Sequence, residues 1–389
     1  MHYAQRLKRL GTETAFEVLA RAQALEAQGR KVVHLEIGEP DFDTPRFIRK
    51  AAADALESGF THYGPSAGLA EFRKEIAAQW SRERGIPCDA DHVVVTPGAK
   101  PIMFFVMLAL LEAGDEVLCP SPGFPIYESV ANFLEARCVP LVLREENEFD
   151  LDVRELERKI TSRTKLLVLN SPHNPTGAVL KPETVEAIAA LARKHDFCIL
   201  SDEIYAKIQY EGRHLSIASL PGMAERTIVL DGFSKTYAMT GWRLGFGIME
   251  KTLAKHVAKL MTNSNSCTAT FVQKAGLAAL TGPQDEVRAM TEEFRIRRNV
   301  IVEGLNQIPG VRCFMPKGAF YAFPNITGTG ITSAELAKMM LEDAGVACLS
   351  GTAFGAAGEG YLRLSYANSS ENIRTALASM GELLSVRAK

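Results

Sequence analysis

The strongest constraint on this chain is a rhythm between about residues 90 and 280. "HVVVTPG" is followed by "PIMFFVMLALLEAG", and "EVLCPSPG" by "PIYESVANFLEA". "KLLVLNSP" is followed by "KPETVEAIAALARKH", and then come "FCILSDE" and "TIVLDGF". The apolar runs are short, rich in Val, Leu and Ile, and do not alternate with polar residues. Such runs suit strands buried on both faces of a parallel sheet. Strands alternating with helical segments predict an open α/β sheet with right-handed crossovers.

The ends of the chain read differently. Thr14 with Glu17 matches a capping box, predicting a helix that stops at Gly29. Thr44-Pro45 predicts the start of another helix, ending near Ser58-Gly59. After about residue 285 a long polar helix is expected. "GAFYAF", "VACL" and "YLRLSY" then read as strands, and a helix follows "SSEN". The reading is a small α+β domain built from both chain ends, packed on a large central α/β domain.

Bulk properties exclude several classes. A net charge of -2 over 389 residues gives no nucleic-acid footprint. The longest strongly apolar run, Ile102 to Leu111, is too short to span a bilayer. The opening "MHYAQRLKRLGTE" has no apolar signal-peptide core. The 7 cysteines are scattered and never form CxxC, the pattern of free thiols in a reducing compartment. No HExxH or Cys/His cluster points to a metal. A cytoplasmic protein without nucleic-acid or membrane partners is expected.

Open α/β sheets hold ligands at the carboxyl ends of their strands. "VVVT" runs into Pro97-Gly98-Ala99-Lys100-Pro101, a tight turn opening a helix, with Pro101 suited to the first helical position. Free N–H groups there favour phosphate, although an ordinary β–α turn would look the same. "LLVLN" runs into "SPHNPTG", where Asn174 is stiffened by two prolines or is simply a turn residue. "CILSD" ends at Asp202, which could cap a helix, with Tyr205 close behind. "TIVLDGFSK" ends at Lys235, a residue type usually solvated at strand ends. Arg243 follows eight positions later. Taken jointly, these groups suit one ligand, a phosphorylated pyridine aldehyde. Its phosphate needs backbone amides, a hydroxyl and an arginine fork. Its ring nitrogen needs an acid, and its aldehyde needs an amine.

From about Ala15 to the C-terminal helix the sequence resembles the pyridoxal-phosphate (PLP) aminotransferases of class I/II, fold type I. The resemblance rests on "LEIGEPDFDTP", "THYGPSAGLAEFRKEIA", "SPGFPIY", "NSPHNPTG", "SDEIY", "FSKTYAMTGWRLG" and "YLRLSYA". It implies a mostly parallel seven-stranded sheet flanked by helices in a large domain, residues 46–285. Residues 1–45 and 286–389 would form the small domain. By the same resemblance Lys235 looks like the lysine that bonds the cofactor, and Arg243 like its phosphate clamp. Asp202 resembles the partner of the ring nitrogen, while Tyr205 and Asn174 resemble the pair on the ring's phenolic oxygen. Phe124 matches the aromatic stacked on the ring, and Gly98, Ala99 and Lys100 match the phosphate turn. Tyr63 matches a tyrosine given to the neighbouring subunit's phosphate, which implies a homodimer with shared sites. Arg363 resembles the fork for the substrate α-carboxylate, with Gly38 lining the same pocket. Many members carry a phosphate-binding serine three residues before the lysine. This chain has Gly232, leaving either Ser234 to supply the hydroxyl or the phosphate with one donor fewer.

The implied reaction is ping-pong transamination between an L-amino acid and a 2-oxo acid. Burial beside Arg243 and a cationic ring is expected to keep the Lys235 amine neutral, so that it moves a proton at the substrate α-carbon. The stretch "TNSNSCTATFVQKAG" has no Arg and only Lys274, which leans toward neutral or aromatic amino acids. Arg6 or Lys8 remain alternatives for a side-chain carboxylate, and Phe16, Tyr3 and Phe104 are expected in an apolar pocket or in plain core. A PLP-dependent β-elimination lyase would use the same residues. A PLP-binding regulatory module is disfavoured because no helix-turn-helix or basic patch is legible. A nicotinamide dehydrogenase is weaker still, since the glycines of "SGTAFGAAGEG" read as surface turns.

Overall fold

A computed structural model describes residues 1–387. Twelve strands are present among them. β1 is Val33–His34, β2 Val93–Thr96, β3 Glu116–Ser121 and β4 Arg137–Val142. β5 is Thr164–Asn170, β6 Cys198–Asp202, β7 Thr227–Gly232 and β8 Gly245–Ile248. β9 is Tyr321–Ala322, β10 Val346–Ala347, β11 Leu349–Ser350 and β12 Leu362–Ser365. The helices are α1 Ala15–Glu26, α2 Arg46–Glu57, α3 Ala70–Arg84, α4 Lys100–Leu110, α5 Ile126–Phe133 and α6 Val153–Lys159. They continue with α7 Pro182–His195, α8 Lys251–Ser264, α9 Thr270–Thr281, α10 Asp285–Leu305, α11 Ser333–Glu342 and α12 Ser370–Arg387.

Seven strands form one sheet in the order β2-β8-β7-β6-β5-β3-β4. All pairings are parallel except those of β8, which runs antiparallel to β2 and β7. The continuous apolar runs have a simple cause. Leu166 and Val168 of β5 pack on one face with Ile102, Met103 and Val106 of α4. Leu167 and Leu169 pack on the other with Val185, Ile188 and Ala192 of α7. Side chains alternate faces along a strand, so both sets must be apolar. Each fully buried Leu, Ile or Val contributes roughly 1.5–3 kcal/mol.

The chain ends meet where β1 pairs in parallel with β10. β11, β12 and β9 form a three-stranded sheet, and Phe294, Ile301 and Leu305 of α10 pack in the same cluster as Ile373, Ala376 and Met380 of α12. That cluster also takes in Tyr205 and Ile208 from just beyond β6, which ties this layer to the carboxyl edge of the large sheet.

Local expectations were met unevenly. α2 begins after Pro45 and ends at Ser58, with Gly59 at φ +81°. The capping box at Thr14 and Glu17 does not form. Thr14 is itself helical, at φ -73° and ψ -14°, and its side chain caps nothing. An N-cap hydroxyl reaches the first turn from an extended backbone, which Thr14 lacks. α4 starts at Lys100, so Pro101 lies one place inside the expected position. No helix among the described residues is long and apolar enough to cross a membrane.

Candidate active site

The carboxyl ends of β2, β5, β6 and β7 open into one cavity of about 590 Å³. Its wall includes Ala99, Lys100, Phe124, Asn174, Asp202, Tyr205, Ser234, Lys235 and Arg243. Gly38 and Arg363 reach the same cavity from the layer built by the chain ends. These eleven positions, distant in sequence, are therefore brought together.

Asp202 closes β6 and is 8% exposed. Its Oδ2 accepts from the Tyr127 hydroxyl at 2.6 Å, and its Oδ1 from the Ile204 N–H at 3.2 Å. Burial pushes its carboxyl up to about 6, against these two bonds and with Asp231 and Glu203 adding to the rise. Lys235 leaves the turn after β7 and donates Nζ–H to the Gly38 carbonyl. Burial pulls its amine down to about 8; Arg363 and Lys100 add to this, whereas the expected contribution of Arg243 is not among the leading causes. Both shifts follow from a poorly solvated charge.

Asn174 is held by its backbone N–H on Asn170 Oδ1 at 2.8 Å, and Asn170 Nδ2 in turn donates to the Asp202 carbonyl at 3.1 Å. The Asn174 Oδ1 is buried without a protein partner. Tyr205 and Tyr321 share a hydroxyl–hydroxyl bond of 2.6 Å. Burial raises the pKa of both phenols. Arg363 lies 4.7 Å from the Tyr321 ring and 5.3 Å from Phe354, and donates to the Glu36 carbonyl. Its Nε is buried and unpaired, and burial lowers its pKa.

The turn after β2 is shaped by glycine. Gly98 has φ +88°, and a Cβ there would lie 2.2 Å from Arg243 Nη2. The guanidinium thus rests against the turn, with Nη1 on the Thr240 carbonyl at 2.8 Å. A Cβ on Gly245 of β8 would come within 2.4 Å of the Ala99 nitrogen. Gly232 faces Gly245 across β7 and β8, where a Cβ would meet Gly245 Cα and the Leu244 carbonyl at 3.1 Å. A serine side chain at this position would have little room, and Ser234 lines the cavity.

Most of the other expected residues lie outside the cavity. Tyr63 stands outside this chain's own cavity and is 90% exposed. Of the proposed apolar wall, Phe16 lines the cavity, but Tyr3 is exposed and Phe104 packs beside Phe105 and Phe133. Nor are Arg6 and Lys8 in the wall; both are exposed. Finally, "SGTAFGAAGEG" is no surface loop. It folds as two short 3-10 turns, and buried Phe354 with Ala353 walls the cavity. Tyr127, Asn170, Tyr321 and Glu13 were not singled out from the sequence. Tyr127 closes the quoted "SPGFPIY", and Tyr321 sits in "GAFYAF", a polar-tipped ring in an apolar strand.

Fold and site together define a pyridoxal-phosphate enzyme of the open α/β type. A family model described as aminotransferase class I and II matches residues 30–380. An aspartate aminotransferase of Pyrococcus abyssi is 44% identical over 363 residues, covering 92% of this chain and 93% of that one. Aromatic-amino-acid aminotransferase 2 of Thermococcus litoralis is 40% identical over 388 residues, covering 99% and 98%. The solved structure of Thermus thermophilus aspartate aminotransferase with maleate superposes with a TM-score of 0.94 at 38% identity, covering 98% and 100%. This chain belongs to the class I and II aminotransferases and is a PLP-dependent transaminase.

The residues present fit that cofactor. An orphaned Asn174 oxygen, a glycine turn laid against a guanidinium, a buried carboxylate and an amine of lowered pKa all face one cavity. A buried polar atom left unpaired normally awaits a partner.

Proposed function

We propose that this transaminase works by a ping-pong cycle and prefers L-amino acids with uncharged, aromatic or aliphatic side chains. Bound PLP supplies an electron-accepting ring that stabilises negative charge at the substrate α-carbon. Lys235, lowered to about 8 by burial, is poised to hold and return a proton at that carbon. Asp202 keeps a proton on the ring nitrogen. Asn174 and Tyr205 are assigned to the phenolic oxygen, and Phe124 to the ring face. Arg243 and the Gly98–Lys100 turn, with Ser234, are assigned to the phosphate. Arg363, with Gly38 beside it, is assigned to the α-carboxylate, its planar fork matching two oxygens.

One observation carries the substrate preference. Four cations line the cavity among the described residues: Lys100, Lys235, Arg243 and Arg363. Three have assigned tasks, and the side chain of the fourth, Lys100, is ion-paired to Glu13. A carboxylate of the protein thus already occupies the cation that an acidic side chain would need. Phe16, Ile37, Leu349 and Phe354 supply apolar wall. The test is a half-reaction panel, in which single amino acids meet PLP-loaded protein while visible absorbance follows conversion to the amine form. Phenylalanine or another neutral donor should convert faster than aspartate, and Glu13→Gln should narrow the gap. Aspartate converting fastest in the unaltered protein would contradict the preference.

The same proposal includes a homodimer, supported by Tyr63 standing exposed and away from its own cavity, and the division into residues 46–285 and 1–45 with 286–389. A cytoplasmic location is supported by free cysteines at 88, 119, 138, 198, 267, 313 and 348.

A further inference from the structure

Outside the cavity lining lies a cluster of buried charge that the reaction does not use directly. Arg84, the last residue of α3, is followed by Gly85 at φ +65°, which ends the helix there. Its side chain is buried, at 7% exposure. Nη2 meets Asp231 Oδ2 at 2.7 Å and Nη1 meets Glu203 Oε2. The guanidinium also lies 4.6 Å from the Trp80 ring. Glu203 Oε1 accepts from Ser201 at 3.0 Å and Ser216 at 2.6 Å. His214 Nε2 stands 3.0 Å from Glu203 Oε2 without hydrogen-bond geometry.

The two carboxylates occupy telling positions. Glu203 follows Asp202, and Asp231 precedes Lys235 by four residues. The registered pairing of β6 with β7 stops at Asp202 opposite Leu230, with one more bond from Glu203 N–H to the Leu230 carbonyl. Asp202 is thus the last registered residue of β6, and Lys235 lies three residues past the end of β7. Arg84 supplies the cross-link where the ladder ends, joining Glu203 to Asp231 through one rigid fork.

We propose that Arg84 is a positioning residue that fixes Asp202 and Lys235 relative to one another by clamping the ends of β6 and β7. The inference rests on the roles given above to those two residues. Stability alone does not require the cluster, since a buried ion pair replaced by packed neutral residues is often neutral or stabilising. Placement does require something there, because a misplacement of about 1 Å costs about a hundredfold in rate. Arg84 also balances two carboxylates whose charges both act to keep Asp202 protonated.

The experiment compares PLP-loaded Arg84→Lys with a neutral triple variant, Arg84→Met with Glu203→Gln and Asp231→Asn. Thermal stability, kcat, KM and the pH midpoint of the visible absorbance of the bound cofactor are measured on each. The triple variant leaves no buried unpaired charge and is expected to stay folded. Its kcat should fall about tenfold to a hundredfold, with KM moved far less and the absorbance midpoint displaced. Arg84→Lys, which keeps the charge but not the fork, should show the same loss of kcat. A triple variant with unaltered kcat and midpoint overturns the proposal. So does an Arg84→Lys variant that loses thermal stability alone. Lys235→Ala, run alongside, separates the two readings: if it retains turnover, the site assignment fails whatever Arg84 does.

Discussion

The Tyr127 hydroxyl donates to Oδ2 of Asp202 at 2.6 Å, inside a wall where both side chains are buried. This bond favours the carboxylate, opposing the burial that pushes Asp202 up to about 6. The pair sets how readily the acid stays ionised near neutral pH, and the chemistry assigned to it requires the ionised form.

Tyr127→Phe removes that bond and little volume. The Asp202 pKa should rise further, by about one unit for a lost bond worth roughly 1.5 kcal/mol. The acidic limb of kcat/KM should move to higher pH by a similar amount. A pH–rate profile decides it, and an unmoved limb would show that Tyr127 does not tune Asp202.

Asp202 carries a stability signature in the cofactor-free chain. Its folded pKa lies above its unfolded value, so the group's favourable contribution is full below about pH 4 and lost as pH rises through about 6. Asp202→Asn has no such titration. Its stability relative to the unaltered protein should grow by about 3 kcal/mol between pH 3 and pH 8. Denaturant unfolding of the two cofactor-free proteins at both pH values measures this. A difference that does not change with pH would contradict the assigned shift.

Gly98→Ala places a methyl where Arg243 now rests, on backbone at φ +88°. The strain is about 1–2 kcal/mol, and the guanidinium must withdraw. Cofactor affinity should fall about tenfold, while kcat at saturating cofactor changes much less. Equilibrium dialysis checks it; unchanged affinity would remove the turn from the phosphate site.

The parts legible in the sequence share one property. β2, β3, β5, β6 and β7 announce themselves because neighbours on both faces force continuous apolar runs. β4 does not, because Arg137 and Pro140 are exposed and break the apolar run. β8 hides behind two glycines, demanded by the close approach of Ala99 and Ile102. In the site, Asp202, Lys235, Asn174, Arg243 and Arg363 stand out as polar groups at the ends of such runs or inside quoted motifs. Tyr127, Tyr321 and Glu13 do not, since what marks them is a partner 75, 116 and 87 residues away. Phe354 was hidden for the opposite reason. Glycines around it imitate a surface loop, yet the chain folds back through Gly351 and Gly358 so tightly that a Cβ on Gly358 would lie 1.9 Å from the Gly351 carbonyl oxygen.

Everything assigned to the cavity depends on which amine bonds the cofactor. Borohydride reduction of the PLP-loaded protein, followed by peptide mapping, reads this directly. The account predicts a single pyridoxyl label on Lys235, with Lys100 unmodified although it faces the same cavity. A label on Lys100 or another lysine, or no label at all, would contradict it.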